Sequence, residues 1–359
     1  MVPLAALSLF PAPAQVADGG PGELVFSLRT WEGKYTSRDV PGGVETTPSQ
    51  STIWAVCADG SGLRRIVQLG PVADAPAFSP DGQWLYFQSN DTGHWRMYRC
   101  RPDGAEVTCV AAGERVGEQW LDAYGFRGSR DGSRMVFTVH DGSTGHVVIS
   151  NADGSDARLV APDLGYTYMA DLSPAGDRVV FSGPAREYRL LLAELPDGPV
   201  RELTPDHPES FVPRFTPDGQ TIVFVRRDGD VYRVEADGSD LRRLTTGNDY
   251  VEFRLSPQDQ HGSTDGPDVS PDGRQIAYLA RRDGVPNVWV MDLDGGNQRQ
   301  VTFRTTPCGR VRWSPDGRAL AFVSFEGQYP QLFVVPAEGG EPRRLTDVPG
   351  AVYFPNWRP

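Results

Sequence analysis

The sequence predicts an all-β fold, a single seven-bladed β-propeller built from four-stranded antiparallel blades. A phrase close to Ser-Pro-Asp-Gly recurs at intervals of 43 to 54 residues, and an internal period of this length is typical of repeat folds. Its six copies are Ser79–Gly82, Ser129–Gly132, Ser173–Gly176, Thr216–Gly219, Ser270–Gly273 and Ser314–Gly317. A second type of turn occurs seven times, with its glycines at Gly60, Gly104, Gly154, Gly198, Gly238, Gly295 and Gly339.

The repeat around Thr216 shows how one blade is built. A short strand over Phe211–Phe215 precedes the turn, and the β-branched and aromatic run Thr221–Val225 follows it. Val231–Val234 alternates apolar with polar residues, and Leu241–Leu244 completes the unit after the second turn. We name these four strands A to D in chain order. Asp-Gly suits the turns because two-residue hairpin turns need positive φ, which Gly adopts without steric cost.

The turns also predict how the ring closes. The repeated phrase forms the turn between strands A and B, and the second type of turn joins strands C and D. Because there are seven C–D turns but only six A–B turns, the first blade lacks a strand A. Its strands B to D are expected near Glu23–Ser27, Ile53–Cys57 and Leu63–Val67, while Tyr353–Trp357 has the pattern of a strand A. We expect this last segment to complete the first blade and so remove the open sheet edge. The alternative is a six-bladed ring with the N-terminal strands outside it.

The first 20 residues stand apart from the predicted propeller, which spans residues 21–359. Leu4–Phe10 is a short apolar run, and Ala12-Pro13-Ala14 has the pattern of an export cleavage site, although no basic residue precedes it. We therefore predict a signal segment over residues 1–20 and a periplasmic or secreted protein. No later segment is long and apolar enough for membrane insertion. The net charge of −12 argues against nucleic acid as a partner, because phosphate binding needs a positive surface.

Four cysteines leave one question open. Cys100 and Cys109 flank the turn Arg101–Gly104, which permits a disulfide between two antiparallel strands in an exported protein. The alternative is two unpaired thiols, since connectivity does not follow from sequence. Cys57 and Cys308 have no obvious partner.

Two stretches carry a family resemblance. Pro267–Tyr278 and Val288–Gly296 resemble TolB-like β-propeller repeats, and the resemblance covers nearly everything after residue 20. It implies that ligands bind at the mouth of the central channel, on the face formed by the D–A and B–C loops. Related propellers include envelope scaffold proteins, oligogalacturonate lyases and the propeller domains of prolyl-oligopeptidase-type peptidases. The fold therefore implies no single activity.

A ring of alternating charges is predicted to line the channel. Side chains of a strand alternate between its two faces. The residue just before each Ser or Thr of the repeated phrase is mostly apolar and is expected to face the core. The residue one position earlier is therefore expected to face the channel. These channel positions are Ala77, Arg127, Asp171, Arg214, Asp268 and Arg312, with Asn356 in the closing strand. In one interpretation the opposite charges pair and plug the channel. In the other, the three arginines bind an anionic ligand such as a uronate, because guanidinium groups bind carboxylates in a bidentate manner.

Histidines and long loops are predicted at the same mouth. The five histidines are His94, His140, His146, His207 and His261. His140 and His146 flank one B–C loop and are the best pair for a divalent metal ion, with His261 as a third ligand, although their spacing matches no compact motif. The loops Thr30–Ser51 and Thr246–Pro267 are both long, and the second carries Tyr250 and Asp265 as candidate ligand-binding residues.

Two hypotheses about function follow. The first is an exported, monomeric, non-enzymatic propeller that binds a protein, a peptide or an oligosaccharide at the channel mouth. The second is a metal-dependent lyase for acidic oligosaccharides, in which the histidines hold a divalent ion and Arg214 or Arg312 neutralises the substrate carboxylate. A purely architectural ring is a third possibility. The sequence contains no Gly-x-Ser-x-Gly motif, which argues against serine peptidase activity.

Overall fold

The computed structural model describes residues 22–31, 37–40, 43–46, 50–111, 115–116, 119–120, 122–140, 144–184, 187–206, 209–248, 266–282 and 284–359. The predicted signal segment, residues 1–20, lies outside this part of the chain. The described residues are almost entirely strands and turns, with a single 3-10 turn at Pro162–Leu164. Among them, no helix is long and apolar enough to cross a membrane.

Seven four-stranded antiparallel sheets make up the fold, as the repeats predict. The N-terminal strands are β1 (Glu23–Thr30), β2 (Ser37–Val40), β3 (Gly43–Thr46), β4 (Gln50–Cys57) and β5 (Arg64–Val67). Blade two contains β6 (Ala73–Phe78), β7 (Leu85–Ser89), β8 (Arg96–Cys100) and β9 (Thr108–Ala111), and a hairpin of β10 (Arg115–Val116) and β11 (Gln119–Trp120) follows it. Blade three contains β12 (Asp122–Gly128), β13 (Arg134–His140), β14 (Gly145–Asn151) and β15 (Arg158–Leu159).

The remaining blades follow the same order. Blade four contains β16 (Tyr168–Leu172), β17 (Arg178–Gly183), β18 (Arg189–Glu194) and β19 (Val200–Glu202). Blade five contains β20 (Ser210–Phe215), β21 (Thr221–Arg226), β22 (Val231–Glu235) and β23 (Arg242–Arg243). Blade six contains β24 (Asp268–Val269), β25 (Gln275–Ala280), β26 (Asn287–Asp292) and β27 (Arg299–Gln300). Blade seven contains β28 (Cys308–Trp313), β29 (Ala319–Glu326), β30 (Tyr329–Pro336) and β31 (Arg343–Arg344).

The last strand, β32 (Ala351–Trp357), closes the ring. It is strand A of blade one, in the sheet order β32-β1-β4-β5, and Leu24 pairs with Trp357. The amide of Arg358 donates to the carbonyl of Glu23 at 2.8 Å, and the buried Glu23 carboxylate forms ion pairs with Arg64 and Arg358. The prediction that the two ends of the propeller share one blade is confirmed, and the six-bladed alternative is excluded.

Seven hydrophobic clusters lie between the blades, one at each interface. Phe215 and Phe224 of blade five pack with Val180 and Leu192 of blade four, for example. The cluster at the closing interface combines blade seven with Leu24 and Trp357 of blade one. Because each blade buries its faces only against two neighbours, the repeat needs the complete ring to exclude water from every core.

The six A–B turns share one hydrogen-bonding pattern. The first Ser or Thr of each phrase accepts a hydrogen bond from the amide five residues later, at 2.9–3.0 Å. The residues that donate these amides are Trp84, Arg134, Arg178, Thr221, Gln275 and Ala319. The repeated phrase is therefore a structural element, and its turns lie with the C–D turns on the face opposite the loops. We name this the turn face, and the opposite one the loop face.

The disulfide between Cys100 and Cys109 does not form. Both residues are unpaired thiols, as are Cys57 and Cys308. A register shift in the β8–β9 pair places Cys109 opposite Tyr98, and Cys100 is buried whereas Cys109 is exposed. Burial raises the pKa of the Cys100 thiol to about 12.

Candidate functional site at the channel mouth

A left-handed residue near the mouth end of every strand A shapes the site. The seven residues have φ between 50° and 79°, and each lies two positions before a channel position: Ala75, Gly125, Met169, Val212, Gly266, Arg310 and Phe354. Sheet pairing shifts register at this point in most blades, as between Tyr124 and Arg127. Such bulges bend a strand and re-aim its side chains. The bulges therefore separate the residues that line the channel from those that form the mouth.

Val212 is the most unusual member of this set. A β-branched residue rarely adopts positive φ, and its φ is 50°. Strained backbone of this kind is concentrated at functional sites, where the surrounding structure enforces it. Val212 is buried and lines the cavity described below. The sequence gives no signal for these bulges, since their residue types range from Gly to Arg.

The acidic channel residues hold neighbouring blades together. The Oδ2 atoms of Asp171 and Asp268 accept hydrogen bonds from the amides of Phe215 and Trp313 in the next blade, both at 2.8 Å. Oδ1 of Asn356 accepts the equivalent hydrogen bond from the Phe78 amide at 2.9 Å. The sequence indicates which residues belong to this ring but not these contacts, because a backbone donor leaves no signal in a sequence.

The arginine channel residues share a common side-chain arrangement. Nη1 of Arg127, Arg214 and Arg312 donates to the carbonyl of the preceding residue, at 2.8–2.9 Å in each case. The ion pair between Arg127 Nε and Asp171 Oδ1 is long, at 3.9 Å. The channel ring thus has three guanidinium groups, two carboxylates and the neutral side chains of Ala77 and Asn356.

The charges of this ring act on one another. Burial raises the pKa of Asp268, and Arg312, the Trp313 amide, Arg214 and Arg127 act in the opposite direction. All three guanidinium groups are therefore close enough to influence a single carboxylate. The excess of positive charge in the channel contrasts with the net charge of −12 of the whole chain, and it suits an anionic group.

Aromatic side chains form a wall along one side of the mouth. His140 of blade three contacts Tyr166, with ring centroids 5.9 Å apart, and Tyr166 contacts Tyr168 at 5.2 Å. Tyr168 contacts Tyr188 at 5.4 Å, and Tyr188 contacts Phe211 of blade five at 5.3 Å. We name these five residues the tyrosine wall. The sequence does not predict that these rings form a continuous row.

A cavity of about 400 Å³ lies between the tyrosine wall and the channel. Tyr166, Tyr168 and His140 line one side, and Arg127 and Arg214 lie at its channel end. Burial raises the pKa values of Tyr166 and Tyr168, and neither hydroxyl has a hydrogen-bond partner among the described residues. Both side chains are half-buried, and their hydroxyls are polar groups that a ligand in the cavity can contact. Apolar walls with a few converging polar groups are typical of ligand sites.

The opposite side of the mouth is built from arginines and aromatic rings. Arg310 lies 3.8 Å from the centroid of Phe354, and Arg29 lies 4.6 Å from that of Tyr353. Arg29 also forms an ion pair with the buried Asp74. We name Arg29, Arg310, Tyr353 and Phe354 the arginine cluster. Its side chains pack on one another, which indicates a structural role.

His140 and His146, two of the three predicted metal ligands, are not brought together. Val139 pairs with His146 and His140 with Gly145, so the two histidines lie on opposite faces of their sheet. His140 lines the cavity, whereas Nδ1 of His146 is buried away from it without a hydrogen-bond partner. His94 lies 3.6 Å from Asp122. In the part of the chain that the structure describes, no three His, Cys, Asp or Glu side chains could hold a metal ion together.

Four of the predicted residues lie outside the described residues. These are His207 in one D–A loop, and Tyr250, His261 and Asp265 in the long loop that follows Asn248. Their part in a site at the mouth stays a prediction.

The fold and this cavity define a class: a seven-bladed β-propeller with a candidate ligand site at its channel mouth. Residues 254–359 match the family model for the TolB β-propeller domain. An uncharacterized protein of Agrobacterium fabrum is 27% identical over 67% of this chain and 61% of its own length. The solved TolB of Acinetobacter baumannii has a TM-score of 0.55 and 16% identity, over 94% of this chain and 67% of that one. This chain is therefore similar to TolB β-propellers in fold and, over residues 254–359, in sequence.

The fold also occurs in an enzyme. A solved oligogalacturonate lyase in complex with manganese has a TM-score of 0.59 and 14% identity, over 86% of this chain and 90% of that one. At this identity the likeness concerns the fold alone. The chain spans 61%, 38% and 36% of the lengths of three curated relatives that it matches, so their activities do not transfer to it.

Proposed function

We propose that this protein is an exported, non-enzymatic binding protein that takes an anionic ligand into the cavity between the tyrosine wall and the channel. The ligand presents a carboxylate to Arg127 and Arg214 and lays an apolar or sugar-ring surface against Tyr166 and Tyr168. The observation that carries this proposal is the combination of two guanidinium groups with unpartnered tyrosine hydroxyls around one 400 Å³ cavity. Carboxylates are strong partners of guanidinium groups, and aromatic faces bind rings and side chains.

An acidic segment of a protein or peptide is the ligand that we favour, and an acidic oligosaccharide is the alternative. The similarity to TolB proteins and the export pattern at Ala12–Ala14 support a location outside the cytoplasm. The lyase hypothesis has less support, because His140 and His146 lie on opposite faces of their sheet. Whether His261 takes part in a site is a separate prediction.

A binding experiment with matched variants tests the proposal. The purified protein is titrated against an array of acidic peptides and against uronate oligomers, with the neutral analogue of each. We expect Arg214→Gln to weaken binding of the best ligand about tenfold or more, because it removes a charge-assisted hydrogen bond. Tyr168→Phe tests the hydroxyl and should weaken binding less. Arg242→Gln, on the exposed outer strand of the same blade, is the control and should leave the affinity unchanged.

Three outcomes contradict the proposal in different ways. If Arg214→Gln and Arg242→Gln behave alike, the ligand does not occupy this cavity. If the neutral analogues bind as tightly, the arginines do not select an anion. If uronate oligomers acquire the ultraviolet absorbance of unsaturated products when a divalent metal ion is added, the protein is a lyase and the non-enzymatic proposal fails.

A further inference from the structure

A second cavity lies on the turn face, away from the channel mouth. It has a volume of about 630 Å³, within the range of small-molecule sites. Val334 and Ala319 of blade seven and Trp357 of blade one form apolar parts of its lining. Arg318, Arg343 and Arg358 also line it. It occupies the interface where the two ends of the propeller meet.

The cavity lies where the repeat changes. Ala319 is the equivalent of Trp84, Arg134, Arg178, Thr221 and Gln275, because each donates its amide to the first hydroxyl of its own turn. In blade three, Nη1 of Arg134 reaches blade four and donates to the Gly176 carbonyl at 3.1 Å. Arg178 likewise donates to Gly219 of blade five at 2.8 Å and lies 5.6 Å from the Phe215 ring. An alanine cannot extend to the next blade.

Blade one adds to the space at this interface. Its strands A and B, β32 and β1, come from distant parts of the sequence, so no A–B turn joins them as in the other six blades. Trp357 occupies the position that Phe215 holds in blade five, as the pairings of Trp357 with Leu24 and of Phe215 with Ile222 show. The face of Phe215 lies near the Arg178 guanidinium. Trp357 lines an open cavity instead.

The charged side chains around the cavity differ in whether they already have an ion-pair or hydrogen-bond partner. Arg358 forms an ion pair with Glu23 at 3.4 Å, and Arg343 donates to the carbonyl of Ala58. Oδ1 of Asp316 accepts hydrogen bonds from the Ser314 hydroxyl and the Arg318 amide, which lower the pKa of this carboxyl. The exposed Arg318 guanidinium has no ion pair or hydrogen bond within the described part of the chain. Arg318 is therefore the cation best placed to meet a ligand.

We propose that this cavity is a second ligand site, for a small aromatic carboxylic acid. Its planar ring fills the space beside Ala319 and packs against Trp357 and Val334, where blades three and four place an arginine. Its carboxylate pairs with Arg318. An anion suits the site better than a cation, because three guanidinium groups and two carboxylates, Asp316 and Glu341, line it. This inference is independent of the function proposed for the channel mouth.

Calorimetric titration of the full chain with indole-3-acetate and with tryptamine tests the charge requirement. Both probes have the same ring, but the first is an anion and the second a cation at neutral pH. We expect indole-3-acetate to bind at least about tenfold more tightly, the size of one charge-assisted contact. Arg318→Gln should abolish most of this preference. Equal binding of both probes, or no binding of indole-3-acetate at millimolar concentration, overturns the proposal.

A second pair of variants tests the position of the site. Ala319→Arg restores the residue type of blades three and four and should fill the cavity, weakening indole-3-acetate binding at least about tenfold. Gln275→Arg makes the same change at the equivalent position of blade six and should leave the affinity unchanged. Thermal unfolding identifies a variant that fails to fold, in which case Ala319→Leu replaces Ala319→Arg. Binding that survives filling of the cavity places the probe elsewhere and overturns the proposal.

Discussion

The two faces of the propeller contain the same seven blades, yet they differ in how much the blades resemble one another. On the turn face, six A–B turns repeat one set of hydrogen bonds, with amide-to-hydroxyl distances of 2.9–3.0 Å. On the loop face, blades three to five contribute the tyrosine wall, whereas blades one and seven contribute the arginine cluster. Repetition identifies the parts that maintain the ring, and departures from repetition identify candidate sites.

Blades also differ from one another within the turn face. The cavity near Ala319 lies on the turn face, where the A–B turn of blade seven keeps the repeated hydrogen bond and the side chain that follows it has changed. A ligand site therefore needs no irregular loop. One alanine at a position that is an arginine in blades three and four, next to a blade built from two ends of the chain, is enough to open space between blades.

The largest expected effect concerns a turn-face glycine that is packed against the neighbouring blade. Gly154 has φ of 88°, and a Cβ atom on it would lie 1.7 Å from the Val110 carbonyl oxygen. We expect Gly154→Ala to lower the free energy of unfolding by about 3 kcal/mol or more, because strained φ and overpacking add. Gly339 has similar φ, 101°, but open space around it, so Gly339→Ala should cost only about 1 kcal/mol.

Urea unfolding at pH 7 measures both glycine variants. Equal losses would show that backbone conformation alone, and not contact between blades, makes these glycines necessary. The turn face would then be a set of independent hairpins rather than a packed ring.

A smaller effect is expected from the channel, where a carboxylate connects two blades. Asp268→Ala removes the acceptor for the Trp313 amide and the countercharge of Arg312, and should cost about 2–3 kcal/mol. Asp268→Asn retains an acceptor, as Asn356 does for Phe78 in blade one, and should cost about 1 kcal/mol. The same urea titration separates the two contributions. If both variants lose the same free energy, charge and not the hydrogen bond connects these blades.

The smallest expected effect concerns stability at low pH. The contribution of a turn-face carboxylate and that of a channel carboxylate should change in opposite directions as pH falls. Hydrogen bonds from Ser or Thr hydroxyls lower the pKa values of Asp131, Asp218, Asp272 and Asp316 from 3.8. A lowered folded-state pKa contributes stability above the unfolded value, and this contribution is lost as pH falls through the folded pKa. Asp316→Asn should therefore lose under about 1 kcal/mol at pH 6 and almost nothing near pH 3.

Asp268 should show the opposite trend. Its folded-state pKa is raised, chiefly by burial, so the wild-type protein regains stability as pH falls through this raised pKa toward 3.8. The difference between wild type and Asp268→Asn should thus move in favour of the wild type as pH falls through the raised pKa toward 3.8. Unfolding midpoints at several pH values measure both trends. The same trend for Asp316 and Asp268 would contradict the distinction between the faces.

Sequence by itself determined the fold and its closure. The spacing of Ser-Pro-Asp-Gly, the seven C–D glycines and the strand pattern at Tyr353–Trp357 are local signals, because turn chemistry depends on a few adjacent residues. They also give the predicted channel positions from Arg127 to Asn356. Alternation along a strand fixes which side chains point inward, so a known turn gives the inward positions two residues away.

Only the tertiary structure decided what those residues contact. Asp171 and Asp268 meet backbone amides of the next blade, His140 and His146 separate onto opposite faces, and Cys109 pairs with Tyr98 instead of facing Cys100. The aspartate contacts join residues of different blades that are more than 40 positions apart in the sequence. The positions of the histidines and cysteines depend on strand register and on a bulge. Turn motifs encode none of these features. The tyrosine wall and the cavity beside Ala319 likewise arise between blades, where residues distant in sequence come together.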